Sequence, residues 1–113
     1  MRLRVLAAAA LLALAGAGVV PAALAADDEF KLVIENHKFD PAELVIPANK
    51  KVKLVIENRD ATPEEFESHA LNREKVIAGK STATVFIGPL KPGSYPFVGE
   101  YNEKTAKGAV VVK

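Results

Sequence analysis

The chain has 113 residues, with 15 lysines and arginines against 14 aspartates and glutamates, and it contains no cysteine and no tryptophan. A formal charge of +1 leaves no basic excess to follow a phosphate backbone, which argues against a nucleic-acid partner. Without cysteine there is no disulfide, no thiolate metal ligand and no lipid attached through sulfur.

The first segment carries Arg2 and Arg4, then an apolar run over 5–20, then Pro21 and small residues at Ala23 and Ala25. That order of basic, apolar and small-residue regions is what a signal peptidase reads, and the run is short and Ala/Gly-rich for a membrane anchor. Residues 1–25 are therefore predicted to be a signal peptide, and 26–113 an exported domain with no stable membrane insertion after cleavage. Losing Arg2 and Arg4 from the 15 basic residues leaves 13 against 14 acidic ones, a net charge of −1. The remainder suffices for one small domain with a single core, stabilised by packing and strand pairing alone.

Short apolar runs then alternate with turn signals. Phe30, Leu32 and Ile34 fall on one face of a first strand. Asp40 and Pro41 interrupt, and 43–46 runs into Pro47. Val52, Leu54 and Ile56 point one way while Lys51, Lys53 and Glu57 point the other. A β-branched run at 81–87, a turn at 91–93, and strands at 94–98 and 108–113 complete the chain. Period-two alternation with β-branched residues and Gly/Pro punctuation predicts about seven strands, folded as an antiparallel, all-β Greek-key sandwich. Residues 26–29 read as a lead-in.

The stretch 58–77 differs. Residues 58–63 are turn-rich, and 64–69 (EEFESH) are acidic and poor in strand formers. Extended backbone there would put Glu65, Glu67, His69 and Leu71 on one face and Phe66, Ser68 and Ala70 on the other. Residues 72–75 read as a turn or a single helical turn.

The last segment, 95–113, resembles the closing loop and strand of a blue-copper protein, with Gly99 where the cysteine would stand, Asn102 where a histidine would stand, and no methionine. The opening motifs FDPAELVIPA (39–48) and KVKLVIEN (51–58) resemble many cupredoxins. EEFESHALNREKVI (64–77), GPLKPG (88–93) and GEYNEKTAKG (99–108) are similar to the small cupredoxin-like proteins of bacterial iron uptake, including the cupredoxin domain of EfeO-type periplasmic proteins. The resemblance implies a periplasmic, cupredoxin-like β-sandwich that binds a copper or iron ion and assists an iron-uptake membrane permease or its periplasmic partner. Relatives commonly carry histidine at the position of Asn102, whose amide oxygen is a weaker transition-metal ligand.

The metal-ligand candidates are accordingly Glu67 and His69, with Glu65, Glu100, Asn102 and Glu103. The resemblance places His69 at a loop-to-strand junction facing the last loop, where Glu100 could close the site. Mixed imidazole and carboxylate donors suit Cu(II) or iron; the competing reading is a surface strand of ordinary charged residues. His37 reads as exposed or packed on Phe39 rather than as a ligand, Tyr95 and Phe97 as core residues, and Lys50, Lys51 and Lys53 as a solvated strand edge or a small docking patch. Three functions compete: a metal-binding accessory of iron uptake, a copper-dependent ferroxidase component, and a metal-free docking module for an iron permease. Restoring histidine at position 102 is expected to tighten copper binding.

Overall fold

A computed structural model describes residues 28–113; the predicted signal peptide and its cleavage point lie outside the described residues. The described chain is built of β1 (Asp28–Glu35), β2 (Lys38–Asp40), β3 (Glu43–Ile46), β4 (Val52–Asn58), β5 (Glu64–Ser68), β6 (Arg73–Ile77), β7 (Ser81–Ile87), β8 (Gly93–Gly99) and β9 (Lys107–Val112), with one 3-10 turn at Glu100–Asn102. The strands form a four-stranded sheet ordered β2-β1-β4-β7 and a five-stranded sheet ordered β3-β9-β8-β5-β6. The all-β sandwich expected from the pattern is the architecture observed.

Two features were not anticipated. The sandwich is mixed rather than wholly antiparallel, because β1 pairs parallel with β4 and β3 pairs parallel with β9. The chain repeatedly passes from one sheet to the other, so neighbours within a sheet are distant in sequence, and hairpin geometry does not dictate their direction. The second feature is β6, which occupies 73–77 where a turn was expected. It is an edge strand, paired with β5 on one side only, and Arg73 Nε ties it to the other sheet by donating to the Phe86 carbonyl at 2.9 Å.

Alternation drives the core. Val52, Leu54 and Ile56 are fully buried, as are Leu32 and Ile34 on β1, with Phe97, Val110 and Val112 opposite. Each such side chain contributes roughly 1.5–3 kcal/mol by leaving water. Phe39, Phe66 and Phe97 meet at the centre, with ring centroids 4.9, 5.0 and 6.2 Å apart. Tyr95 packs against the core from its edge, whereas Tyr101 is exposed. Of the basic cluster, Lys50 pairs with Asp28 at 2.8 Å and Lys53 lies 3.8 Å from Glu29, while the Lys51 ammonium sits 4.9 Å over the Phe86 ring.

Candidate functional site

Successive side chains of β5 leave opposite faces of its sheet. Glu64, Phe66 and Ser68 point inward and are buried, and Glu65 and Glu67 point outward. Strand pairing then crowds the outer face. Glu67 lies directly opposite Glu74 of β6, and Glu65 is two pairs further along, opposite Val76. Glu100, at the start of the 3-10 turn after β8, reaches the same patch.

Like charges facing each other across strands disfavour ionisation of both. The Glu65 carboxyl is pushed up to about 7, first by its hydrogen bond with Glu100, then by burial and by Glu74. Glu67 is also raised, chiefly by burial, with the charges of Glu100 and Glu74 adding and that of His69 opposing. The patch therefore holds more negative charge than its surroundings support, a condition that a bound cation relieves.

His69 is placed differently from the expectation. The strand ends at Ser68, whose hydroxyl accepts the Leu71 N–H at 3.0 Å and donates to the Pro96 carbonyl at 2.7 Å. That hydroxyl turns the chain, Leu71 drops into the core, and the predicted shared face of Glu65, Glu67, His69 and Leu71 breaks after Glu67. The His69 side chain is 96% exposed, with Nε2 3.9 Å from Glu67 Oε2. It flanks the patch at the end of β5 remote from Glu64, about 16 Å along an extended strand.

Asn102 lies at the Glu64 end, with the inward-facing side chain. Its Nδ2 donates to Glu64 Oε2 at 2.7 Å. Glu64 Oε1 accepts the N–H of Tyr101 at 2.8 Å and that of Glu65 at 2.9 Å. The carboxyl rests on the bare backbone of Gly99: a Cβ there would come within 2.7 Å of Glu64 Cδ and 2.8 Å of Oε2. The position that the blue-copper resemblance assigns to a cysteine is thus filled from the side by Glu64.

Glu103 lines an open cleft of about 570 Å³ together with Glu100, Asn102, His37, Tyr101 and Thr105. His37 stands in the two-residue turn between β1 and β2, where Asn36 and His37 both have positive φ (55° and 57°), the backbone of a tight hairpin. The Asp60 carboxylate accepts the N–H groups of Asn36 and His37 at 2.8 and 3.0 Å, and Thr105 Oγ1 donates to the His37 carbonyl at 2.6 Å. The Asp60 pKa is lowered first by the backbone bond from His37, with burial opposing, and further by Asn36 and the charges of His37 and Lys80. So His37 is half-exposed and fastened to Asp60, on the side of the domain that carries the last loop.

Of the six predicted ligands, the fold gathers Glu65, Glu67 and Glu100, sets His69 at their rim, and brings Asn102 and Glu103 with Glu100 to the cleft beside His37, the Asn102 amide being held by Glu64. Sequence reading missed Glu74 and Glu64. Glu74 was legible only if 73–77 was recognised as a strand paired with 64–68; Glu64 was legible by carrying the Phe66 and Ser68 face back by one step. As a donor set, three carboxylates with a neighbouring imidazole fit a hard or borderline ion such as Fe(III) or Cu(II). In the observed rotamers no three His, Asp or Glu side chains among the described residues close round one point, so binding would require the carboxylates of the patch to change rotamer.

The topology and the pole carrying Gly99 and Asn102 define a cupredoxin-type sandwich. The model of the cupredoxin-like domain matches residues 4–112, and the chain belongs to that family. An uncharacterized protein, RP394, of Rickettsia prowazekii (strain Madrid E) is 42% identical over 84 residues, 74% of this chain and 67% of that protein. Among solved structures, auracyanin A, a blue copper protein from Chloroflexus aurantiacus, superposes with a TM-score of 0.64 at 17% identity, covering 78% of this chain and all of that one. A chain of a heme-copper terminal oxidase dimer superposes with a TM-score of 0.64 at 20% identity over 77% of this chain, which spans only 65% of it. At these identities the structural likeness establishes the fold.

Proposed function

We propose that the protein is a periplasmic metal-binding accessory of iron uptake, taking Cu(II) or iron on the outer face of β5 through Glu65, Glu67 and Glu100, with His69 at the rim. The observation that carries this reading is the carboxyl crowding: Glu67 faces Glu74 across the strand pair, Glu65 is pushed up to about 7 by Glu100, burial and Glu74, and a cation relieves the repulsion. Auracyanin A is described as a copper protein, and membership of the cupredoxin-like family adds weight to copper. The resemblance of 64–77 and 99–108 to iron-uptake proteins supports the cellular role and a permease or its periplasmic partner as the recipient. When bound, the ion would supply a redox-active or transferable centre; the chain's own residues would orient it and set its exposure.

Titration of the purified, metal-free protein with Cu(II), Fe(II) and Fe(III) tests this directly. Saturable binding to one site, weakened in Glu67→Gln and in Glu100→Gln, is the expected result. Absence of binding for all three ions would overturn it. A second reading, a metal-free docking module for the permease, is favoured by the commitment of the Asn102 amide to Glu64.

A further inference from the structure

Glu64 is a buried acid, 2% exposed, that the carboxylate patch does not use. We infer that Glu64 is a positioning residue: it clamps the turn after β8 onto β5 and so holds the Glu100 carboxyl against Glu65 and Glu67. The inference rests on the reading of those outward carboxylates as the metal donors, and it adds the element that assembles them.

A single atom carries the connection. Glu64 Oε1 accepts the backbone N–H of Glu65 and the backbone N–H of Tyr101, so one oxygen joins the first patch residue to the immediate neighbour of Glu100. The second oxygen takes the Asn102 amide, which holds the far end of the same 3-10 turn. The turn is closed on itself by Ala106 N–H to the Asn102 carbonyl at 2.8 Å and Gly99 N–H to the Ala106 carbonyl at 2.9 Å. It therefore moves as a unit, and Glu64 decides where that unit sits. Gly99 is what permits the carboxyl to lie over the backbone at all, since any Cβ would collide with it. Charge-assisted bonds to two amides and a side-chain amide, made in a buried setting, are among the stronger and more directional contacts available to a protein.

The test combines amide hydrogen exchange by NMR with Cu(II) affinity. In the wild-type protein the Tyr101 amide should be protected although the residue is 53% exposed. Glu64→Ala should speed its exchange and weaken Cu(II) binding, each by about tenfold, as expected for losing hydrogen bonds to a carboxylate. Glu64→Gln, which keeps an acceptor for both amides, should stay close to wild type. Glu64→Ala added to Glu100→Gln should cost little further affinity, because the two then act through the same group. Should Glu64→Ala fail to fold, Asn102→Asp sets two carboxyls against each other and should release the turn, and Glu64→Gln in that background should restore Tyr101 protection.

Unchanged Tyr101 exchange in a folded Glu64→Ala protein would overturn the clamp, as would failure of the Gln/Asp pair to restore protection. Unchanged Cu(II) affinity in Glu64→Ala, with affinity still lost in Glu100→Gln, would also overturn it while leaving the proposed function intact. If the wild-type protein binds neither copper nor iron, the proposed function falls. The clamp is then decided by Tyr101 exchange together with the proton contacts between the Glu65 and Glu100 side chains.

Discussion

The two faces of β5 carry the same acidic residue type at adjacent positions and treat it in opposite ways. Inward, Glu64 finds three donors within 2.9 Å and is buried. Outward, Glu65 and Glu67 meet further carboxyls, from Glu74 and Glu100, and their pKa values rise. The side chain's chemistry is constant; what differs is whether the neighbouring element offers N–H groups or oxygens. A satisfied carboxyl builds structure, and a crowded one is available for binding.

The largest effect should come from breaking the inner face at its hydrophobic centre. Phe66, with no exposed surface and two aromatic neighbours, anchors β5 between the sheets. Phe66→Ala is expected to cost about 3–5 kcal/mol through lost transfer and the cavity left behind, measurable by urea denaturation. A loss below about 1 kcal/mol would mean that β5 repacks easily and would blur the distinction between faces.

Next comes the outer face, where the sign is reversed. A carboxyl whose folded pKa is raised binds more protons folded than unfolded, so its contribution falls as pH rises through the window from 4.5 to about 7. Glu65→Gln should therefore raise Tm at pH 8 and change it little at pH 4, while lowering metal affinity. Thermal melts across that range check the prediction, and equal shifts at both ends would contradict the crowding. Asp60 should behave oppositely: its lowered pKa gives stability that is present above its usual 3.8 and lost as pH falls below it.

Metal-binding pH dependence follows from the same groups. The Glu65 carboxyl must shed its proton to bind, so Cu(II) affinity should fall as pH drops below about 7. The copper form should be pale, since no thiolate is present to give an intense blue charge-transfer band. Smallest of all should be His69→Ala, because a side chain 96% exposed has no fixed geometry to lose. A modest weakening of Cu(II) binding by calorimetry is expected, and no change would remove His69 from the site.

Strand existence in β1, β4, β7, β8 and β9 was written in the residues, since period-two burial leaves a direct mark on the order of apolar side chains. The same holds for the core positions Leu32, Ile34, Val52, Leu54, Ile56 and Phe97. The absence of cysteine fixed the kind of copper chemistry open to the chain. Strand β6 left no such mark, because only its last residue is buried; pairing with β5 and the Arg73 bond to Phe86 make it a strand. For the same reason Glu74 could not be matched with Glu67 in advance. The parallel pairs, the burial of Glu64 and the separation of His69 from Asn102 each depend on residues far apart in sequence being brought together. A linear pattern records which way a side chain points along its own strand, and only the assembled sheets decide what it meets there.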